Sequence, residues 1–219
     1  MNASRAPRFA SVVLDVDSTL SGIEGIDWLA TLRGPEVSAA VADLTDRAMR
    51  GAIALDAVFG ERLALVRPSR REVAALTAAY EACVAPGAAD AVRLLRAAGV
   101  RVVAVSGGLR EAVAPFVASL GVPDADVHAV GVTFDAAGEF AGFDEASPLA
   151  TAVGKRTLVE SLDLPAPVLA VGDGATDLAI RPVVAAFGAF TGFVKRDAVV
   201  AGADYLIPDF SHLLDLVLR

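Results

Sequence analysis

Three short apolar runs, each stopped by small or acidic residues, constrain this chain more than any other feature. "FASVVLDVD" begins at Phe9, "VRVVAVSGG" at Val100 and "APVLAVGDG" at Ala166. Valine-rich runs without polar alternation suit strands covered on both faces, as in a parallel sheet. Helix-like stretches separate them. In "GAADAVRLLRAAG", from Gly87 to Gly99, Val92, Leu94, Leu95 and Ala98 fall on or near one face before a glycine stop. "SGGLREAVAPFVASLG" and "GKRTLVESLDLP" repeat the helix-then-strand alternation. The pattern predicts an α/β fold with a doubly wound, Rossmann-like parallel sheet. At 219 residues there is material for one good-sized core and a smaller insertion.

Two segments break the alternation. Residues 21–85 contain no strand signal and read as four helices, "GIDWLATLRG", "EVSAAVADLTDRAMRG", "LDAVFGERLALV" and "SRREVAALTAAYEACV". This predicts a small helical cap at 21–85, inserted into a core formed by 1–20 and 86–219. Around "DAAG", the two aromatic-bearing runs of "VGVTFDAAGEFAGF" predict a β-hairpin.

A net charge of −8 leaves no basic footprint for nucleic acid, so an anionic ligand must be attracted locally. One cysteine, Cys83, excludes an internal disulfide framework and fits a reducing compartment. It reads as a small buried side chain rather than a nucleophile, since no basic activator lies near it in sequence. The N-terminal apolar run is too short for a signal segment, and no stretch approaches a membrane span. The expectation is a cytoplasmic protein acting on a small molecule as a monomer or homodimer, without nucleic-acid or membrane partners.

In open α/β sheets, ligands bind beyond the carboxyl ends of the strands. That rule brings together Asp15 and Asp17 after the first run, Ser106 and Gly107 after the second, and Asp173 and Asp177 after the third. Taken singly, each group is ordinary turn or helix-capping chemistry. Their order behind three apolar strands favours a joint site. Several carboxylates in one cleft repel unless a cation intervenes, and an oxygen-only set without a His/Cys cluster suits Mg²⁺ carrying a phosphate.

These motifs resemble those of the haloacid dehalogenase-like phosphatases. "DVDST", "VVAVSGG", the lysine of "VGKRTL" and "VGDGATD" are similar, in order, to that family's four motifs, from about Phe9 to Leu216. "DSTLSGIEGID", "RAMRGAIALDAVFGERLALV" and the segment from "GAFTGFVKRD" onward resemble the phosphoserine phosphatase branch. The resemblance implies that Asp15 is the nucleophile that becomes an aspartyl-phosphate. It also implies that Asp17 protonates the leaving alkoxide and then activates water. Asp15, Asp173 and the backbone carbonyl of Asp17 would hold Mg²⁺, with Asp177 around them. Ser106, the Gly107 amide and Lys155 would bind the phosphoryl oxygens.

The same resemblance assigns substrate recognition to Glu24, Arg62, Met49 and Thr176. Phosphoserine carries one ammonium and one carboxylate beyond its phosphate, and Glu24 and Arg62 match the positions that would meet them. Read from the residues alone, Glu24 is equally a helix cap, Arg62 a surface arginine, and Met49 a core side chain. Thr176 stands where the branch usually has asparagine. Arg196 matches a position in the family's tail without an assigned role. The implied activity is hydrolysis of L-phosphoserine to L-serine and phosphate. The readings left open are another small phosphorylated amine or alcohol such as phosphoethanolamine, transfer to an acceptor such as homoserine, and a non-catalytic phosphate-binding module.

Overall fold

The computed structural model describes residues 6–49 and 55–219, without the side chains of residues 46, 48, 49 and 55–57. Strand β1 (Ser11–Leu14) is buried along its whole length. It pairs in parallel with β2 (Arg101–Leu109) on one side and β6 (Val168–Gly172) on the other, so that Val12 sits between Val102 and Leu169. Burial on both faces and both edges explains the unbroken valines. Beyond β2 lies β3 (Val127–Val130); beyond β6 lie β7 (Ala186–Phe190) and β8 (Tyr205–Ile207). The six strands run parallel in the order β3-β2-β1-β6-β7-β8. The chain builds outward from β1 in one direction, returns, and builds outward in the other. The crevice where the order reverses therefore opens between β1 and β6, just above Asp15 and Asp173.

Residues 21–85 carry helices α1 (Gly25–Thr31), α2 (Pro35–Met49), α3 (Leu55–Val66) and α4 (Arg70–Ala82). The ends of this segment are stitched together. Gly22 donates to the Cys83 carbonyl at 2.9 Å, Ala85 to the Leu20 carbonyl at 2.9 Å, and Ser21 bridges to Val84. Most of its apolar side chains share the core of the sheet: Leu29, Val41, Leu63, Val73, Leu76 and Tyr80 belong to one buried cluster with the sheet valines, while Leu44 and Val58 form a small cluster of their own. The remaining helices, α5 (Ala88–Ala97), α6 (Arg110–Ser119), α7 (Gly154–Ser161), α8 (Ala175–Leu178), α9 (Asp197–Gly202) and α10 (Phe210–Leu218), flank the sheet. Helices α5 and α10 pack together, and α6 lies against β2, β3 and α4.

The hairpin forms as the sequence predicts, from antiparallel strands β4 (Val132–Phe134) and β5 (Phe140–Phe143). It braces the helical segment rather than standing free. Phe143 meets Phe59 of α3 edge-on at 5.2 Å between centroids, and the Arg67 and Arg70 guanidinium groups lie over Phe140 and Phe134. The Arg70 amide donates to the Gly138 carbonyl at 2.8 Å. Cys83 departs from expectation: it is exposed, because it sits on the outgoing edge of the stitched segment and not on the apolar face of α4. No helix among the described residues is long and apolar enough to cross a membrane.

Candidate active site

β1 ends at Leu14, so Asp15 and Asp17 both lie beyond the strand. Asp15 still donates its amide to the Val171 carbonyl at 3.0 Å, which fixes it at the rim of the sheet. Beyond it the chain turns sharply: Ser18 has φ +53°, in the left-handed region, and the amides of Thr19 and Ser21 both return to the Val16 carbonyl. The turn leads Asp17 and Glu24 back over the strand end. Ser106, Gly107 and Gly108 lie within β2, not after it, where its pairing with β3 shifts register between Val105 and Leu109. The irregularity frees this stretch from the ladder. Ser106 Oγ accepts from the Gly108 amide at 2.8 Å and lies 3.5 Å from Asp17 Oδ2.

Asp15, Asp173 and Asp177 are all buried, and each offers a carboxylate oxygen within 4.8 Å of the others. Lys155, second residue of α7, reaches across to them from a site that is itself buried. Its Nζ donates to Asp15 Oδ1 at 2.5 Å and to Asp177 Oδ1 at 2.6 Å. Burial opposes the lysine's charge, but Asp15 and Asp177 outweigh it and hold the ammonium protonated above its ordinary range. Burial, then the charge of Asp177, raise the Asp15 carboxyl, against the attraction of Lys155. Asp177 Oδ2 also accepts from the Gly174 amide at 2.9 Å. Gly172 is required for this packing, since a Cβ there would fall 2.2 Å from Asp177 Cγ.

Asp173 Oδ2 is buried and accepts no hydrogen bond; the Arg196 guanidinium packs against it as an ion-pair partner and donates to the Asp173 carbonyl at 3.2 Å. Three converging buried carboxylates, an oxygen-only donor set, fit a hard divalent cation. Asp17 is pushed up to about 6 by burial and then by Glu24, against hydrogen bonds from Tyr80 and Gly25 and the charge of Lys155. A carboxyl with that value sits within reach of proton transfer in both directions near neutrality.

A cleft of about 240 Å³ joins these groups to the helical segment. Asp15, Asp17, Gly107, Lys155, Asp173, Thr176 and Asp177 line it together with Glu24, Arg62 and Arg196. Although Glu24 immediately precedes α1, its side chain does not cap the helix; it accepts from Ser18 Oγ at 2.7 Å and lies 3.8 Å from Arg196. Nor is Arg62 a surface residue. Its side chain is only 17% exposed and pairs with Asp27 at 2.5 Å, while its buried Nε has no partner. Met49 closes α2, and its side chain lies outside the described residues. The residues missed in the sequence are Gly25, Asp27 and Tyr80, whose roles depend on contacts across the fold.

Residues 9–180 match the family model of haloacid dehalogenase-like hydrolases. The chain belongs to that family. Human phosphoserine phosphatase is 40% identical over 207 residues, which cover 93% of this chain and 91% of the human one. Among solved structures, a phosphoserine phosphohydrolase-like protein of Francisella tularensis superposes with a TM-score of 0.82 at 23% identity, covering 94% of this chain and 98% of its own. A phospho-aspartyl intermediate analogue of phosphoserine phosphatase gives 0.79 at 24% identity, covering 94% and 97%. These two likenesses speak to the fold. The six-stranded parallel sheet with flanking helices is that of the haloacid dehalogenase-like phosphatases, and the chain is a phosphoric monoester hydrolase.

Proposed function

We propose that the protein is a phosphoserine phosphatase, hydrolysing L-phosphoserine through a covalent aspartyl-phosphate on Asp15. The observation that supports this most directly is the charge layout of the cleft. A lysine-clamped cluster of carboxylates lines it together with one further acidic side chain, Glu24, which lies 3.8 Å from Arg196, and with Arg62, which Asp27 holds in place. That layout matches a substrate with a phosphate, an ammonium and a carboxylate, and rejects analogues lacking either amino-acid charge. Arg62 lines the cleft with its Nη2 held by Asp27, which fixes the guanidinium for a carboxylate.

In the first half of the reaction an Asp15 carboxylate oxygen attacks phosphorus while the bond to the serine oxygen breaks, and Asp17 gives its proton to the departing alkoxide. In the second, the Asp17 carboxylate takes a proton from water as that water attacks phosphorus. The bond to Asp15 then breaks and releases phosphate. Lys155, Ser106 and the Gly107 amide hold the phosphoryl oxygens and offset their charge. Asp15, Asp173 and the backbone carbonyl of Asp17 would hold Mg²⁺, with Asp177 beside them. Bound there, the ion would neutralise phosphoryl charge and orient the group for in-line transfer. Thr176, beside Asp177 on the cleft wall, would contact the substrate through its hydroxyl, and Met49 would complete the pocket.

The test is phosphate release with Mg²⁺ from L-phosphoserine, compared with phosphoethanolamine, phosphothreonine and sugar phosphates. L-phosphoserine is expected to be preferred by at least about tenfold in kcat/KM, the contribution of one charged contact. Equal turnover of the panel overturns the substrate assignment. Asp15→Asn is expected to abolish turnover while leaving the fold intact, and substantial residual hydrolysis overturns the nucleophile.

A further inference from the structure

The two oxygens of Asp17 are not equivalent. Oδ1 accepts two hydrogen bonds, from the Tyr80 hydroxyl at 2.7 Å and from the Gly25 amide at 2.8 Å. Oδ2 faces Ser106 Oγ at 3.5 Å and Gly108, where an added Cβ would stand 3.2 Å away. Two donors fill the in-plane lone pairs of Oδ1 and leave Oδ2 with only the long contact to Ser106, on a residue that lines the cleft.

Tyr80 is built for this contact. It is fully buried on α4, its ring stacks on Phe116 at 5.3 Å, and its carbonyl accepts from Ser21 Oγ at 3.1 Å. The ring is therefore held by α6 and the backbone by the stitched entrance to the helical segment. A buried hydroxyl is costly without an acceptor, and this one is aimed at a catalytic carboxylate through a gap kept open by a glycine. A Cβ on Gly25 would lie 2.1 Å from the Tyr80 oxygen.

We infer that Tyr80 is a positioning residue for the acid–base step, holding Asp17 by Oδ1 so that Oδ2 delivers the proton to the leaving alkoxide and later receives one from water. The inference rests on the assignment of Asp17 as the acid–base group. The same contact couples catalysis to the helical segment, because both donors to Oδ1 belong to it: Gly25 opens α1 and Tyr80 lies in the last turn of α4.

The test uses Tyr80→Phe, which keeps the stacked ring and removes only the hydroxyl, on two substrates. L-phosphoserine leaves as a basic alkoxide and needs the proton; p-nitrophenyl phosphate leaves as a stable phenolate and does not. The expected result is a fall of about ten- to a hundredfold in kcat/KM for L-phosphoserine, as for loss of one hydrogen bond to a charged group, with p-nitrophenyl phosphate changed less than about twofold. Gly25→Ala, which displaces the hydroxyl without altering Tyr80, is expected to give the same split. The double variant is then expected to be no worse than the poorer single one. Equal losses on both substrates, or no loss on L-phosphoserine, overturn the inference. A wild-type enzyme that fails to turn over L-phosphoserine through Asp15 would instead overturn the underlying function.

Discussion

Replacing Lys155 by methionine keeps the length of the side chain and removes one charge from the most crowded electrostatic site in the molecule. The ammonium makes two short, buried contacts, 2.5 Å to Asp15 and 2.6 Å to Asp177. Without it, three carboxylates within 4.8 Å of one another keep only Arg196, which reaches Asp173. Removing one partner of a buried ion pair costs about 3–5 kcal/mol. For a chain of this size that is a fall of roughly 6–20 °C in melting temperature. The stranded carboxylates can relieve part of this by binding a proton, as the already raised Asp15 shows. Burial and the charge of Asp177 already hold the Asp15 carboxyl above its ordinary value, and removing Lys155 takes away the pull that lowers it, so the stability that its protonation supplies is present at low pH and lost as pH rises. The deficit of Lys155→Met is therefore expected to grow as pH rises above the ordinary Asp value near 4. Urea unfolding of both proteins with a chelator present, at several pH values, measures it directly. A deficit under about 1 kcal/mol at pH 8, or one that shrinks as pH rises, would refute the reasoning. The same variant is expected to lose about a hundredfold in kcat, since Lys155 is also the cation facing the transferred group.

Arg33 clasps Glu72 through two nitrogens at 2.5 and 2.6 Å, and also donates to the carbonyls of Val66 and Arg67, tying the α1–α2 corner to the start of α4. The Arg33 hydrogen bonds are the main reason Glu72 is lowered from 4.5 to about 2, so this stabilisation is complete above pH 4.5 and is lost as pH falls toward 2. Glu72→Gln preserves the capping box with Ser69 and is expected to cost about 1 kcal/mol at pH 7, the difference from wild type vanishing near pH 2 in acid unfolding curves; curves that stay parallel would exclude it. Arg62→Met is expected to raise KM for L-phosphoserine about ten- to a hundredfold while leaving phosphoethanolamine, which has no carboxylate, within about twofold. Equal effects on both substrates would show that Arg62 shapes the pocket without reading the carboxylate.

What the sequence disclosed and what it withheld follow from the distance over which each signal acts. Strand ends are local: a valine run stopped by Asp15 or by Gly172-Asp173 marks where a parallel sheet opens, and sheet order alone brings the two together across the reversal at β1 and β6. The hairpin and the helices of residues 21–85 were legible for the same reason, through turn chemistry and helical period. Side-chain destinations were not. Val73, Leu76 and Tyr80 recur at helical spacing, which reports that Tyr80 faces the core and says nothing about where its hydroxyl ends. Its acceptor is 63 residues away, beyond three helices. Arg62 shows the same limit, since from the residues alone one arginine among several on an adjacent helix and turn reads equally as solvated until Asp27, 35 residues earlier, draws it inward. Cys83 was misjudged because burial was inferred from residue type alone, whereas the antiparallel stitching of residues 20–22 to 83–85 decides its face. In each case the missing information is a pairing between segments, and those pairings are what turn a row of motifs into a cleft. The motif residues sit at the ends of β1 and β6, within β2 and in the first turns of α7 and α8, where the scaffold alone places them. The residues that orient them come from the helical segment, whose position depends on packing. Rearrangement of that segment against the sheet would thus change the geometry at Asp17 before it changed the carboxylate cluster, making proton transfer the step most sensitive to how the helices are seated.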